Sequence, residues 1–411
     1  MLDSFLRRFI KVGRLSVVVG NGRGRVYGDG SGPELAVRLT PAAALKIALK
    51  PDLNLGECYM DGGIVLETGG IYDLLDLLGR NIALTGPNRS KLRAGWFALL
   101  RRAQQMNGRR RARGNVAHHY DLSYDLYRRF LDADMQYSCA DFARPDMTLD
   151  QAQAAKKAHI AAKLLLEPDH SLLDIGCGWG GLGLTLGEHL PRGKVLGVTL
   201  SEEQLAVARR RAAEQRQEER VRFELCDYRD VSGPFDRIVS VGMLEHVGAP
   251  YFQEYFDNVA RLLTDGGVAV IHSIGRRSPP GITQPFIAKY IFPGGYIPAL
   301  SEVLPAIERA GLWVTDIEIL RLHYAETLKA WRERFTAQRD EIAAIYDERF
   351  CRMWEFYLAT SEIAFRWLGY MIFQVQLTKR VDAVPLTRDY IAEAEAPVAR
   401  GRKWRARGHA A

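Results

Sequence analysis

No uninterrupted apolar stretch of this 411-residue chain reaches the roughly 18–20 residues that a bilayer-spanning helix needs. No secretory leader is expected either, because MLDSFLRRFIKVGRLSVVVG sets its charges inside the apolar region and offers no small-residue cleavage site. A cytoplasmic location is therefore expected. Cysteine is sparse: Cys58, Cys139, Cys177, Cys226 and Cys351 are odd in number and form no C-x-x-C pair, so neither a disulfide framework nor a metal site is expected. Internal repeats and low-complexity tracts are absent. Acidic residues are absent from one segment in particular. Between Lys91 and Arg113 the chain carries eight Lys and Arg, interleaved with Leu92, Trp96, Phe97, Leu99 and Leu100. This pattern reads as a basic amphipathic helix running into a linker over 91–114, suited to an anionic membrane surface or to mere solvation.

What the chain does have is ordinary globular composition, with 47% hydrophobic and 26% charged residues and a net charge of +7. That excess of cations suits an anionic partner without choosing between nucleic acid and membrane. Residues 1–90 read as a small opening domain. Its short strands lie at Leu15–Gly20 and Glu34–Leu39, and Thr40-Pro41 supplies an N-cap and first-turn proline for the helix that follows. Further on, strands are expected at Leu172–Ile175, Val195–Thr199, Val221–Leu225, Arg237–Val241 and Val268–His272, then near Trp313–Leu320 and Met371–Thr378, with a long helix over Glu348–Trp367. The aperiodic segment Ser278–Leu300 reads as a lid or insertion, where Lys289 could meet a phosphate. A basic tail closes the chain at 396–411.

The densest signal is Leu172–Gly183, LLDIGCGWGGLG. A strand-like run ends in Asp174 and enters a turn with Gly176, Gly178 and Gly180, which can take positive φ and let the backbone approach a ligand. A helix-like segment and a second apolar strand follow, which is the order of a βαβ unit in a doubly wound sheet. Dinucleotide sites carry an acid at the end of the second strand; here Thr199, Leu200 and Ser201 stand there, and the dinucleotide reading weakens.

The spacing D-x-G-x-G-x-G from Asp174 to Gly180 resembles motif I of class I S-adenosylmethionine-dependent methyltransferases. The chain further resembles the cyclopropane-fatty-acyl-phospholipid synthases and the related mycolic acid cyclopropane synthases. The strings that carry this are HYDLSYDLY at 119–127, MQYSCADF at 135–142, GVTLSEEQ at 197–204, VSVGMLEHVG at 239–248, IHSIG at 271–275, KYIFPGG at 289–295 and HYAETLKAW at 323–331. The resemblance implies an α/β, Rossmann-like catalytic domain over 115–395, preceded by a smaller α+β domain. It implies S-adenosylmethionine held by Tyr137, Ser138, Asp174, Gly176, Gly178, Gly180, Thr199, Gln204 and Asp227, with Asp227 near the adenine. It also implies a bicarbonate base held by Cys139, Glu245, His272, Ile274 and Tyr324. In that reading the Ile274 amide donates to bicarbonate, and Glu245 positions His272. Where common members read HYDLGNDLF, this chain has Ser123 and Tyr124.

The activity so implied is transfer of a methylene unit to the cis double bond of an unsaturated phospholipid acyl chain in an anionic membrane, by a peripherally bound enzyme; a homodimer is a further expectation. A methyl- or methylene-branched product would follow from the same cation. A nucleic-acid methyltransferase is disfavoured by the lack of an N/D-P-P-Y motif, and a non-enzymatic lipid-binding protein by the filled site positions.

Overall fold

In the computed structural model, residues 2–85 and 123–399 are described. The basic run 91–114 and Arg400–Arg407 lie outside them. The chain packs as two units. One gathers residues 2–85, 281–293 and 325–370; the other gathers 123–280, 294–324 and 371–399. Two segments of the expected catalytic span, 281–293 and 325–370, therefore pack with the N-terminal residues.

The first unit is built on a four-stranded sheet of β1 (Arg14–Val19), β2 (Arg25–Tyr27), β3 (Glu34–Leu39) and β4 (Ile64–Thr68), in the order β2-β1-β3-β4. Alternation buries Leu15 and Val17 with Leu35, Val37 and Leu39 on one face. Thr40 caps the helix Pro41–Leu49 by accepting from the Ala43 amide, as its sequence position predicts. The short helix Pro285–Tyr290 lies inside the expected lid and packs against the helix Pro51–Met60. Phe286 is fully buried there, so close to Gly56 that a Cβ would come within 2.4 Å of its ring. Lys289 donates to Glu57 at 2.6 Å rather than standing free for a phosphate.

The larger unit holds a seven-stranded sheet: β5 (Ser171–Ile175), β6 (Lys194–Thr199), β7 (Val221–Leu225), β8 (Phe235–Val241), β9 (Leu263–Arg276), β10 (Trp313–Leu320) and β11 (Tyr370–Thr378). Its order is β10-β11-β9-β8-β5-β6-β7, with β5 to β9 parallel and β10 antiparallel to β11. Strands buried on both faces need near-continuous apolar sequence, and LLDI and IVSV supply it. The direction of winding reverses between β5 and β8. Ligands of such sheets bind at that reversal, outside the carboxyl ends of the strands. Among the described residues no helix is long and apolar enough to cross a membrane.

Candidate active site

A cavity opens at the carboxyl ends of β5 to β8. Of the expected cofactor residues, Tyr137, Ser138, Asp174, Gly176, Gly178, Thr199, Gln204 and Asp227 line it. Gly180 does not. At φ +84° it sits where a Cβ would lie 2.9 Å from both Ala208 and Phe223, so its role is close packing of the turn against the next helix and strand. Gly178, at φ +53°, has open space where a Cβ would stand and is the glycine that leaves room for a ligand.

The rim is strongly pre-bonded. Thr199 donates to Gln204 Oε1 at 3.0 Å, and Ser201 caps the helix Glu202–Glu214. Asp227 accepts two guanidinium bonds from Arg229, at 2.8 and 2.6 Å, as well as the Arg229 amide. Its carboxylate thus caps a turn and lines the cavity at once. Asp174 differs: it is 1% exposed, burial raises its pKa to about 7, and its Oδ2 has no partner among the described residues. A buried carboxyl oxygen left so, beside an open glycine turn, fits a ligand that brings its own donor. Tyr124, at the position departing from the usual motif, sets its ring edge-on to Trp179 at 5.5 Å, with Arg210 over its face. This residue builds the wall behind the glycine turn.

The expected bicarbonate residues are not in the lining of this cavity. Glu245, His272 and Ile274 form a second, adjoining cluster. Val241 of β8 is in register with His272 of β9, and the amide of Gly242, which lines the cavity, donates to the His272 carbonyl at 2.9 Å. Cys139 follows Ser138 directly, with its thiol donating to the Ala140 carbonyl at 3.2 Å. Tyr324 is buried near the start of the helix His323–Ala337.

Two expectations about this cluster need correction. The Ile274 amide donates to Glu245 Oε1 at 2.6 Å and so is committed to that carboxylate rather than to an outside anion. His272 is oriented not by Glu245 but by Gln374 on β11, whose Nε2 lies 3.2 Å from His272 Nδ1. With the Gln374 amide assigned nitrogen-first, His272 Nδ1 accepts and Nε2 carries the proton. Burial holds the imidazole well below its ordinary pKa, helped by Lys156, Lys163 and His159, so it is a neutral donor. Burial raises Glu245 to about 7 against the opposing pull of the Ile274 amide. Three buried polar atoms are left without partners among the described residues: Glu245 Oε2, His272 Nε2 and Gln374 Oε1. Sequence reasoning missed Gln374, since only strand pairing far along the chain brings it to His272.

Asp141, His159 and Glu395 bring ligand-type atoms within 4.8 Å of one another. Both ring nitrogens of His159 already meet carboxylates, of Glu318 and Glu395, and the buried Lys163 adds a cation. Ion pairing accounts for that cluster.

A family described as mycolic acid cyclopropane synthetase matches residues 107–375. The chain belongs to this family. It is 37% identical over 361 residues to the cyclopropane-fatty-acyl-phospholipid synthase of Escherichia coli K12, covering 86% of this chain and 90% of that protein. It is 36% identical over 393 residues to the tuberculostearic acid methyltransferase UfaA1 of Mycobacterium tuberculosis, covering 90% and 88%. The mycolic acid cyclopropane synthase CmaA1, solved as a complex with SAH and CTAB, superposes with a TM-score of 0.61 at 34% identity, covering 64% of this chain and 97% of that one. The fold is that of the S-adenosylmethionine-dependent methyltransferases, and this member of the cyclopropane synthase family is one of them.

Proposed function

We propose that this enzyme forms cyclopropane rings on the unsaturated acyl chains of phospholipids, with S-adenosylmethionine as donor and bicarbonate as base. The observation that carries this reading is the buried trio of Glu245 Oε2, His272 Nε2 and Gln374 Oε1, adjoining the cofactor cavity. A methyltransferase that only needed to bring two reactants together would have no use for such a cluster. Each unpaired buried group costs about 1–3 kcal/mol.

S-adenosylmethionine supplies an electrophilic methyl group, and addition to an alkene generates a carbocation that must lose a proton. The protein's tasks are to exclude water, position the chain and hold a base. His272 Nε2–H can donate and Glu245 Oε2 can accept, and this mixed pair suits a hydrogen carbonate ion better than a simple anion. Bicarbonate held there would supply the base. Gln374 and the Ile274 amide fix the two side chains in the needed orientation.

The overall similarity to a cyclopropane-fatty-acyl-phospholipid synthase along most of both chains supports the phospholipid substrate. Similarity to a tuberculostearic acid methyltransferase supports a second reading, in which the cation resolves to a branched chain. Vesicles of cis-unsaturated phospholipid incubated with S-adenosylmethionine decide between them. Mass spectrometry is expected to give a gain of one methylene, and NMR of the released acyl chains to give cyclopropane ring protons. Olefinic or branched-methyl signals on the added carbon would establish the second reading, and no modified chain at all would overturn both.

A further inference from the structure

Lys156, on the helix Leu149–Leu164, is fully buried, and its ammonium makes two hydrogen bonds: to Gln136 Oε1 at 2.6 Å and to Ser138 Oγ at 2.8 Å. Both acceptors are neutral and both residues line the cofactor cavity. No carboxylate of the described residues forms an ion pair with Lys156. Buried cations are ordinarily paired, because moving an ammonium out of water costs several kcal/mol.

The neighbouring acids are otherwise engaged. Asp134 pairs with Lys157 at 2.6 Å and with Arg211. Asp132 accepts the amides of Gln136 at 2.8 Å and Asp134 at 3.0 Å. Lys157, Asp174, Cys139 and His272 are also close enough to interact with it electrostatically. One turn earlier on the same helix, Gln153 donates to the carbonyls of Ser138 and Gln136, at 2.9 and 3.3 Å, so the two side chains together clamp the segment 136–138. A serine hydroxyl that accepts from an ammonium must direct its own proton elsewhere, and at Ser138 the cavity is the open side.

We propose that Lys156 is a positioning residue for the carboxylate of the cofactor's amino-acid part, acting through the Ser138 hydroxyl, while the unpartnered Asp174 Oδ2 receives the ammonium of the same zwitterion. The inference rests on the reading of this cavity as the S-adenosylmethionine site. The helix Leu149–Leu164 packs on β8 and β9, while Asp227 follows β7. Lys156 and Asp227 thus serve opposite ends of an elongated ligand. The counter-charge for the buried ammonium arrives with the ligand, which makes the amino-acid end a requirement for tight binding.

Calorimetric titration with S-adenosylhomocysteine and with 5′-methylthioadenosine, which lacks the amino-acid part, tests this. Lys156→Met is expected to weaken S-adenosylhomocysteine at least tenfold and to leave methylthioadenosine unchanged. Burial lowers Lys156 to about 8, and a carboxylate brought to it favours its charged form. Binding of S-adenosylhomocysteine to the parent at pH 8 should therefore take up part of a proton, seen as a dependence of the heat on buffer ionisation enthalpy, and Lys156→Met should abolish that uptake. Ser138→Ala removes the relay with the cation in place; it should weaken S-adenosylhomocysteine, spare methylthioadenosine, and serve alone if Lys156→Met does not fold. Equal losses for both ligands, or unchanged affinity for both, would overturn the proposal. A parent enzyme that bound neither ligand would instead overturn the reading of the cavity.

Discussion

Around the cofactor cavity most polar side chains already hold one another, whereas beside it, between β8, β9 and β11, three buried polar atoms hold nothing. Asp227 with Arg229, Thr199 with Gln204, and Lys156 with Ser138 keep the first region in shape through cycles of ligand exchange. The second region orients Glu245 through the Ile274 amide, with the Ser273 hydroxyl beside it, and His272 through Gln374, and leaves Glu245 Oε2 and His272 Nε2 uncommitted. The difference is one of task. A site that binds and releases a nucleoside needs rigid walls, while a site that handles a proton needs groups whose bonding capacity is not spent.

The most drastic way to break the first region alone is Gly178→Val. A branched side chain at φ +53° is strained, and its atoms would project into the open space of the turn. Cofactor binding should fall below detection by calorimetry, with the circular dichroism of the parent retained. Gly180→Ala sharpens the contrast, because its added carbon meets Ala208 and Phe223 rather than the cavity. That variant should lose about 2–5 kcal/mol of stability from left-handed strain and overpacking, with the loss read as a lowered denaturation midpoint. A Gly180→Ala variant of parental stability that had lost only cofactor affinity would return Gly180 to the binding surface.

The second region should break in the opposite sense. Glu245→Gln and His272→Ala are each expected to lower turnover by about 100-fold or more, as loss of proton-handling groups does, while S-adenosylhomocysteine affinity changes less than about twofold. Calorimetry showing that these variants had lost the cofactor would merge the two regions into one.

Titration gives a finer measure. Glu245, raised to about 7 by burial, is protonated in the folded protein below that pH and must ionise to accept a proton. The rate at saturating substrate should rise with pH through about 7, and Glu245→Gln should remove that limb. In stability the sign reverses. The folded state holds this proton more tightly than the unfolded chain, so the contribution is full below about 4.5 and is lost as pH rises through about 7. A parent pH profile that stayed flat between 6 and 8 would separate Glu245 from the proton step.

The two regions also differ in how far the sequence discloses them. Strand-end residues such as Asp174, Thr199 and Asp227, and the glycines between, are placed by the local order strand, turn, helix, so reading the chain in order locates them. β7, β10 and the helix Glu348–Trp367 fall where their patterns put them. The pairing of His272 with Gln374 spans 102 residues and depends on β11 lying beside β9, which no local pattern encodes. The Ile274 amide was free to serve an outside anion until the fold delivered Glu245 to it. Lys156 is hidden for a related reason: a lysine in a helical stretch reads as solvent-facing, and only the tertiary arrangement turns it inward.

The smallest expected effect comes from a histidine treated in the opposite way to His272. His159 is buried, which alone would lower its pKa, but hydrogen bonds to Glu318 and Glu395 outweigh burial and raise it to about 9. It ties the helix Leu149–Leu164 to β10 and to the C-terminal helix Asp389–Ala399. Because the folded pKa lies above the unfolded value, the stabilisation is fully present below about pH 6.5 and is lost as pH rises through about 9. The denaturation temperature should therefore drop by several degrees between pH 7 and pH 10. In His159→Gln, which keeps hydrogen bonding without the charge, it should start lower and drop less. Cofactor affinity at a given pH should be the same in parent and variant, since His159 is outside the cavity lining. If the pH dependence of the denaturation temperature were the same in parent and variant, the clasp would carry no titrating charge, and the contrast between a saturated and an uncommitted histidine would rest on His272 alone.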